Sequence, residues 1–285
     1  MANVLIVGCG YVGEALGLRL VEQGDRVFAM KRTPAGLPDA FVPLRADVTR
    51  HDGIGALPAR LDHVVYAVGA KARDEAAYRA AYLDGLGNVL RVLGDEGQRP
   101  ARIVFTSSTS VYGQRRGEWV DEESPTHPRG FAGEIMLAAE RLLHGSRHPS
   151  TVVRLGGIYG PGRTSLVQRV ESGRPIPVGD APHYTNRIHR DDAAGAVAHV
   201  LGLADPAPTY VGVDDEPADL ADVLRWIAGR MGRVLPETSE EEAPARGGSK
   251  RCRNALLRAS GYELERPTYR EGYADLIPGS GRQAG

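Results

Sequence analysis

The chain opens on an unbroken apolar run, Val4 to Val7, which stops at Gly8. The period then changes. Val12, Ala15, Leu16 and Leu20 recur at helical spacing across residues 11–23. Gly24 and Asp25 end that pattern, because glycine accepts the left-handed cap conformation. Arg26–Lys31 reads as a second strand. Further strands are expected at Phe41–Arg45, His63–Val68, Arg102–Ser107, Thr151–Leu155 and Thr209–Val213, and helices at 74–93, 131–144, 191–203 and 218–231. Strands alternating with amphipathic helices predict an α/β chain whose parallel sheet is covered on both faces.

The second half is less regular. Residues 156–187 are rich in Gly, Pro and Arg. Residues 236–250 carry Glu237 and Glu240–Glu242, followed by Pro244, Gly247 and Gly248, and read as a solvated loop. The organisation expected is a dinucleotide-binding sheet domain from 1–155 and 188–213, interleaved with a smaller C-terminal substrate lobe from 156–187 and 214–285.

Composition narrows the class. The 285 residues hold 35 Lys plus Arg against 36 Asp plus Glu, a formal net charge of -1, with 42% hydrophobic residues. That excludes a disordered chain and argues against a nucleic-acid partner, which would call for a basic excess. No apolar run approaches the roughly 20 residues of a membrane helix, and no leader pattern precedes the first strand, so a soluble cytoplasmic protein is expected. Cys9 and Cys252 lie too far apart in sequence to suggest a disulfide framework or a zinc cluster, and His144 and His148 are separated by Gly145, so no metal is expected.

The candidate chemistry begins at Gly8-Cys9-Gly10-Tyr11-Val12-Gly13, a G-x-G-x-x-G between the first strand and the first helix. Gly8 permits the tight turn, Gly10 lets bare backbone approach a pyrophosphate, and Gly13 allows close helix–strand packing. The helix N-terminus adds N–H groups and a positive dipole end. In this context the doubly wound sheet is of the Rossmann type. Ala67 and Val68, at the end of the fourth strand, belong to the same candidate cofactor site with Tyr11 and Val12. No carboxylate ends the second strand, Phe28-Ala29-Met30-Lys31-Arg32-Thr33, so Lys31 and Arg32 are positioned to meet a 2′-phosphate. NADP is the expected cofactor, with NAD as the alternative. Asp47 is placed either at the adenine amino group or at a helix cap. Cys9 at the helix start has two readings: a thiol of lowered pKa, or simply a small residue in the turn.

Four further segments carry a resemblance: Thr106-Ser107-Ser108-Thr109-Ser110-Val111-Tyr112-Gly113; Arg154-Leu155-Gly156-Gly157-Ile158-Tyr159-Gly160-Pro161-Gly162; Ile188-His189-Arg190-Asp191-Asp192-Ala193; and the tail Ser260-Gly261-Tyr262 with Tyr269-Arg270-Glu271-Gly272-Tyr273. Together they resemble the extended short-chain dehydrogenase/reductases, the NAD(P)-dependent epimerase/dehydratases of nucleotide sugars, over nearly the whole chain. The resemblance implies an oxidoreductase, epimerase or dehydratase acting on a sugar-nucleotide or other polar hydroxyl or carbonyl substrate. It also implies a homodimer formed through helices 74–93 and 131–144.

Two departures matter. The family's glycine turn is one residue longer. Its Tyr-x-x-x-Lys pair, counted back from Glu140, falls on Ala132 and Met136, neither of which can move a proton. The match is therefore to the atypical, YeeZ-like branch. In the resembled enzymes Tyr carries the proton, Lys lowers its pKa and holds the ribose, and Ser hydrogen-bonds the substrate oxygen. Ser108 fills the Ser position. Glu134, the one ionisable group in 130–136, is a candidate carrier, although it is rotated by about 200° from position 132 on a helix. Tyr159, and less strongly Tyr112 and His189, are the other candidates. Arg163, Arg169, Arg174 and Arg187 could clamp an anionic substrate. With the pair missing, a non-catalytic NADP-binding regulator is the competing expectation.

Overall fold

The computed structural model describes residues 1–239 and 248–277. The chain forms two compact units. The first takes Met1–Val111, Thr126–Arg154 and Ala194–Tyr210; the second takes Tyr112–Pro125, Leu155–Ala193 and the chain from Val211 onward.

The first unit is built on a seven-stranded sheet. In chain order its strands begin with β1 (Asn3–Val7), β2 (Arg26–Lys31), β3 (Val42–Arg45), β4 (His63–Tyr66) and β5 (Arg102–Ser108). Ser150–Leu155 and Thr209–Gly212 complete it. Across the sheet the order is Thr209–Gly212, Ser150–Leu155, β5, β4, β1, β2, β3, and the pairings among β1 to β5 are parallel. This is the doubly wound Rossmann arrangement. The sheet's winding direction reverses between β1 and β4, so ligands are expected at the carboxyl ends of those two strands. Val4, Leu5, Ile6 and Val7 are all buried, as a strand covered on both faces requires.

Helix α1 (Tyr11–Glu22) follows the glycine turn and buries Val12, Leu16 and Leu20. The expected helix at 74–93 is in fact α2 (Glu75–Tyr78), a π turn (Arg79–Asp84) and α3 (Gly85–Asp95). Helix α4 spans Phe131–His144, as the pattern predicts. The fourth strand ends at Tyr66, two residues earlier than expected. No helix follows Asp47. Its carboxylate instead accepts from Thr49 N at 3.2 Å and Thr49 Oγ1 at 2.7 Å, closing an Asx-type turn and not a helix cap.

The second unit pairs strands of two or three residues: Gly157–Tyr159 with Arg187–His189, Tyr184–Thr185 with Ala218–Asp219, Ile176–Pro177 with Glu237–Thr238, and Glu118–Val120 with Lys250–Cys252. Its core holds Val167, Val170, Leu224, Ile227, Tyr269 and Tyr273. The loop expected at 236–250 needs correcting at both ends. Glu237 lies in a strand and pairs with Arg225 at 2.7 Å, and Lys250 is buried. Glu240–Glu242, Pro244 and Gly247 lie outside the described residues. Among the described residues no helix is long and apolar enough to cross a membrane.

Candidate functional site

The glycine turn closes the carboxyl end of β1. Gly8 N and Cys9 N both donate to Met30 O, at 2.9 and 3.1 Å, and Gly10 N donates to Gly8 O at 2.7 Å. Gly8 has φ +85°, and a Cβ there would stand 2.6 Å from the backbone of Val68. A Cβ on Gly13 would lie 3.0 Å from both Gly8 O and Ile6 Cγ2, where α1 packs onto β1. Gly10 is different. A Cβ there would meet nothing nearer than Gly8 O at 3.9 Å. The fold itself explains Gly8 and Gly13; nothing in the protein's own packing explains Gly10. Gly10 is also the N-cap of α1, and no side chain caps that end. Bare backbone beside an uncapped helix start offers N–H groups that an anionic ligand can accept from. Ala67 and Val68 pass directly behind Gly8, so the turn, β4's end and the start of α1 form one surface.

Lys31 ends β2 half-buried, and Arg32 follows it exposed. The backbone ties Lys31 to the end of β3, where Ala46 N donates to Lys31 O at 3.3 Å. Arg32 lies within electrostatic reach of Asp47, whose carboxyl is held below its ordinary range first by the Thr49 hydroxyl hydrogen bond. The structure thus gathers Lys31, Arg32 and Asp47 at one corner. Cys9 is fully buried, and burial pushes its thiol up to about 11, which overturns the reading of an activated thiolate.

Ser108 ends β5, next to β4 in the sheet. Its Oγ accepts from Ser110 N at 3.1 Å. A Cβ on Gly133 would run into the Ser110 carbonyl, so the first turn of α4 sits against this segment. Glu134, in that turn, is exposed, where a carboxylate complements the helix dipole. One turn further on, Met136 is buried. Behind Ser108 lies an arrangement whose partners are not apparent from the sequence. Ser107 Oγ donates to Glu140 Oε1 at 2.5 Å, and Arg154 donates to the same carboxylate through Nε at 3.1 Å and Nη2 at 2.8 Å. All three residues are buried. Alignment marks Glu140, but nothing local marks Arg154 as its partner.

Tyr159 belongs to the second unit. It is 5% exposed, stacked on Tyr273 at 4.4 Å and edge-on to His189 at 5.5 Å. Its hydroxyl abuts Gly272, where any Cβ would overlap it, and burial raises its phenol well above the ordinary value. A phenol enclosed in this way has packing as its evident task, which corrects the expectation of a titrating Tyr159. Tyr112 is likewise buried, donating to Asp121 O at 2.7 Å. His189 accepts from Asp191 N at 3.3 Å, and burial, with Arg266 nearby, pushes its pKa down to about 4, so it stays neutral near pH 7. Asp192 is a scaffold group: its carboxylate accepts from Glu265 N at 2.7 Å and Arg266 N at 3.0 Å. Arg187 is buried, and Arg169 donates to Pro175 O at 2.5 Å, so neither is an open anion clamp.

Asp214 is 1% exposed. Neither carboxylate oxygen has a well-formed hydrogen bond, and burial, against the opposing pull of Arg187, pushes its pKa up to about 8. The unfolded chain would release this proton near the ordinary value of 3.8. Between these values the native state binds more protons, so stability falls as pH rises through the window and stops falling above it. Asp214→Asn is therefore expected to gain stability relative to the parent as pH rises from 5 to about 8, measured by urea unfolding across that range. A constant difference between the two proteins would show that Asp214 is ionised throughout.

The chain matches the family model "NAD dependent epimerase/dehydratase family" over residues 4–211. It is 31% identical over 208 residues to Protein YeeZ of Escherichia coli strain K12, covering 70% of this chain and 73% of that one. A 3-diazoavenalumate denitrifying reductase from a Streptomyces species is 28% identical over 309 residues, covering 95% and 98%. Among solved structures, a Methylobacillus flagellatus protein classed provisionally as an NAD-dependent epimerase/dehydratase superposes with a TM-score of 0.80 at 36% identity, over 97% of each chain. A conserved protein of unknown function from Silicibacter pomeroyi has a TM-score of 0.78 at 27% identity, covering 97% and 98%. With the sheet order, the glycine turn and these likenesses in agreement, the chain belongs to the NAD-dependent epimerase/dehydratase family.

Proposed function

We propose that this protein is a nicotinamide-dinucleotide-dependent oxidoreductase of a small polar hydroxyl or carbonyl substrate, with NADP(H) as its preferred cofactor. The observation that carries the reading is the open space at Gly10 between two glycines that the fold itself requires. In this reading Gly8, Gly10, Tyr11, Val12, Gly13, Ala67 and Val68 hold the diphosphate end, and the cofactor supplies hydride chemistry when bound. Lys31 and Arg32, with no carboxylate ending β2, favour a 2′-phosphate over a free ribose hydroxyl pair. Ser108 hydrogen-bonds the substrate oxygen. The Streptomyces relative, named as a reductase, supports the redox class. A homodimer through α4 and the helical segment 74–93, which comprises α2, the π turn and most of α3, is part of the same proposal.

A second reading, a dinucleotide-binding protein without catalysis, is favoured by one observation: Met136 is a core residue, so the family's Lys position has been taken into the packing. Calorimetry with NADPH and NADH, followed by a screen of carbonyl compounds for nicotinamide oxidation, separates the two. Arg32→Ala is expected to weaken NADPH by about 10- to 100-fold, equivalent to roughly 1.5–3 kcal/mol, while NADH is nearly unchanged. Equal losses for both nucleotides would remove the 2′-phosphate assignment.

A further inference from the structure

We propose that the Tyr82 hydroxyl, brought to the carboxyl end of β4 by the π turn, is the proton carrier that replaces the tyrosine missing at position 132. This rests on the dinucleotide reading above.

The π turn is the first support. Gly85 N donates to Ala80 O, five residues back. This withdraws it from the Ala81 carbonyl, which an α-helix would have used. That carbonyl accepts the Tyr66 hydroxyl instead, at 2.5 Å. π turns of this kind are frequently found at functional sites, because the extra residue re-aims the side chains around it. Tyr66 is consequently spent: it is fully buried, and burial raises its phenol well above the ordinary value.

Tyr82 is placed differently. It is half-buried, and its Oη accepts from Ala70 N at 3.4 Å. Ala70 lies in the segment that follows β4, two residues beyond Val68, whose backbone packs behind Gly8. The Tyr82 ring lies 5.2 Å from that of Tyr78, and Tyr78 meets Phe131 edge-on at 5.4 Å and 89°. Phe131 is the residue before Ala132, and the next residue, Gly133, packs on Ser110. An aromatic strip therefore runs from the end of β4 to the turn of α4 that has lost its tyrosine, with Ser108 on the adjoining strand. The π turn itself carries Arg79 and Asp84, Tyr78 stands beside Tyr82 from α2, and Tyr66 on β4 lies within electrostatic reach of both Tyr82 and Asp84.

The chemistry balances. A carbonyl carbon takes the hydride and its two electrons from a reduced nicotinamide. Tyr82 gives its phenolic proton to the carbonyl oxygen and regains one from water. In the reverse direction tyrosinate accepts the proton of the alcohol.

The chain has eleven tyrosines, so the test isolates one by difference. The tyrosinate absorbance of the full-length protein is titrated against pH, with and without saturating NADP+. The positive nicotinamide ring is expected to lower the midpoint of one phenol by about 1 unit or more. Tyr82→Phe should abolish that shift, and Tyr78→Phe should keep it. A shift that persists in Tyr82→Phe, or no shift while calorimetry shows NADP+ bound, overturns the role of Tyr82 alone. No binding heat overturns the dinucleotide reading with it. With any carbonyl compound that the parent reduces, Tyr82→Phe is expected to lose about a hundredfold in kcat at unchanged NADPH affinity. An unchanged kcat overturns the proposal.

Discussion

Glu140→Ala is expected to lower the unfolding free energy by about 3–5 kcal/mol. The reason is local. Glu140 and Arg154 are 3% and 8% exposed, and the carboxylate also accepts the Ser107 hydroxyl. Removing the carboxylate strands a buried guanidinium and a buried hydroxyl, each losing its partner without gaining water. For a unit of this size the loss corresponds to roughly 10 °C in melting temperature. Glu140→Leu combined with Arg154→Met removes both charges and should recover most of it, since apolar groups of similar volume replace a buried pair at little cost. Urea unfolding of the single and double variants decides. A loss below about 1 kcal/mol in the single variant would mean that water reaches the pair.

Gly10→Asp is expected to leave the fold intact and to weaken dinucleotide binding by about a hundredfold or more, equivalent to roughly 3 kcal/mol. The structure has room for the side chain, whose Cβ would be 3.9 Å from its nearest neighbour. As N-cap of α1, aspartate is a slightly better residue than glycine, so the melting temperature should hold or rise a little. In the proposed site the same carboxylate would occupy the space assigned to a diphosphate and repel it. Gly8→Ala provides the contrast. There the left-handed φ of +85° and the Val68 backbone at 2.6 Å make the change costly to the fold before any ligand is added. Differential calorimetry and nucleotide titration of both variants separate the roles. Undiminished affinity in Gly10→Asp would defeat the cofactor site.

The alternation of apolar runs and helical periods was enough to locate the parallel sheet, the glycine turn and α4, because each of these is specified by contiguous residues. The place of Lys31 and Arg32 at the end of β2 was legible for the same reason, since the end of a strand is a local position. The π turn was not, since Arg79–Asp84 keeps an ordinary helical composition and its Ala81 carbonyl finds its partner in Tyr66, a residue of β4. Tyr159 misled because a motif position says nothing about enclosure, and its burial is set by Tyr273, more than a hundred residues away.

By itself, then, the sequence determined the α/β alternation, the family and the glycine turn on which the proposed dinucleotide site rests, all of which follow from short-range periodicity and glycine stereochemistry. Tertiary structure alone decided which polar side chains are buried and with whom they pair: Glu140 with Arg154, Tyr66 with Ala81, Asp214 with no well-formed hydrogen bond. Burial and pairing are sums over neighbours distant in the chain, and they set the protonation state and reach of every group a reaction could use.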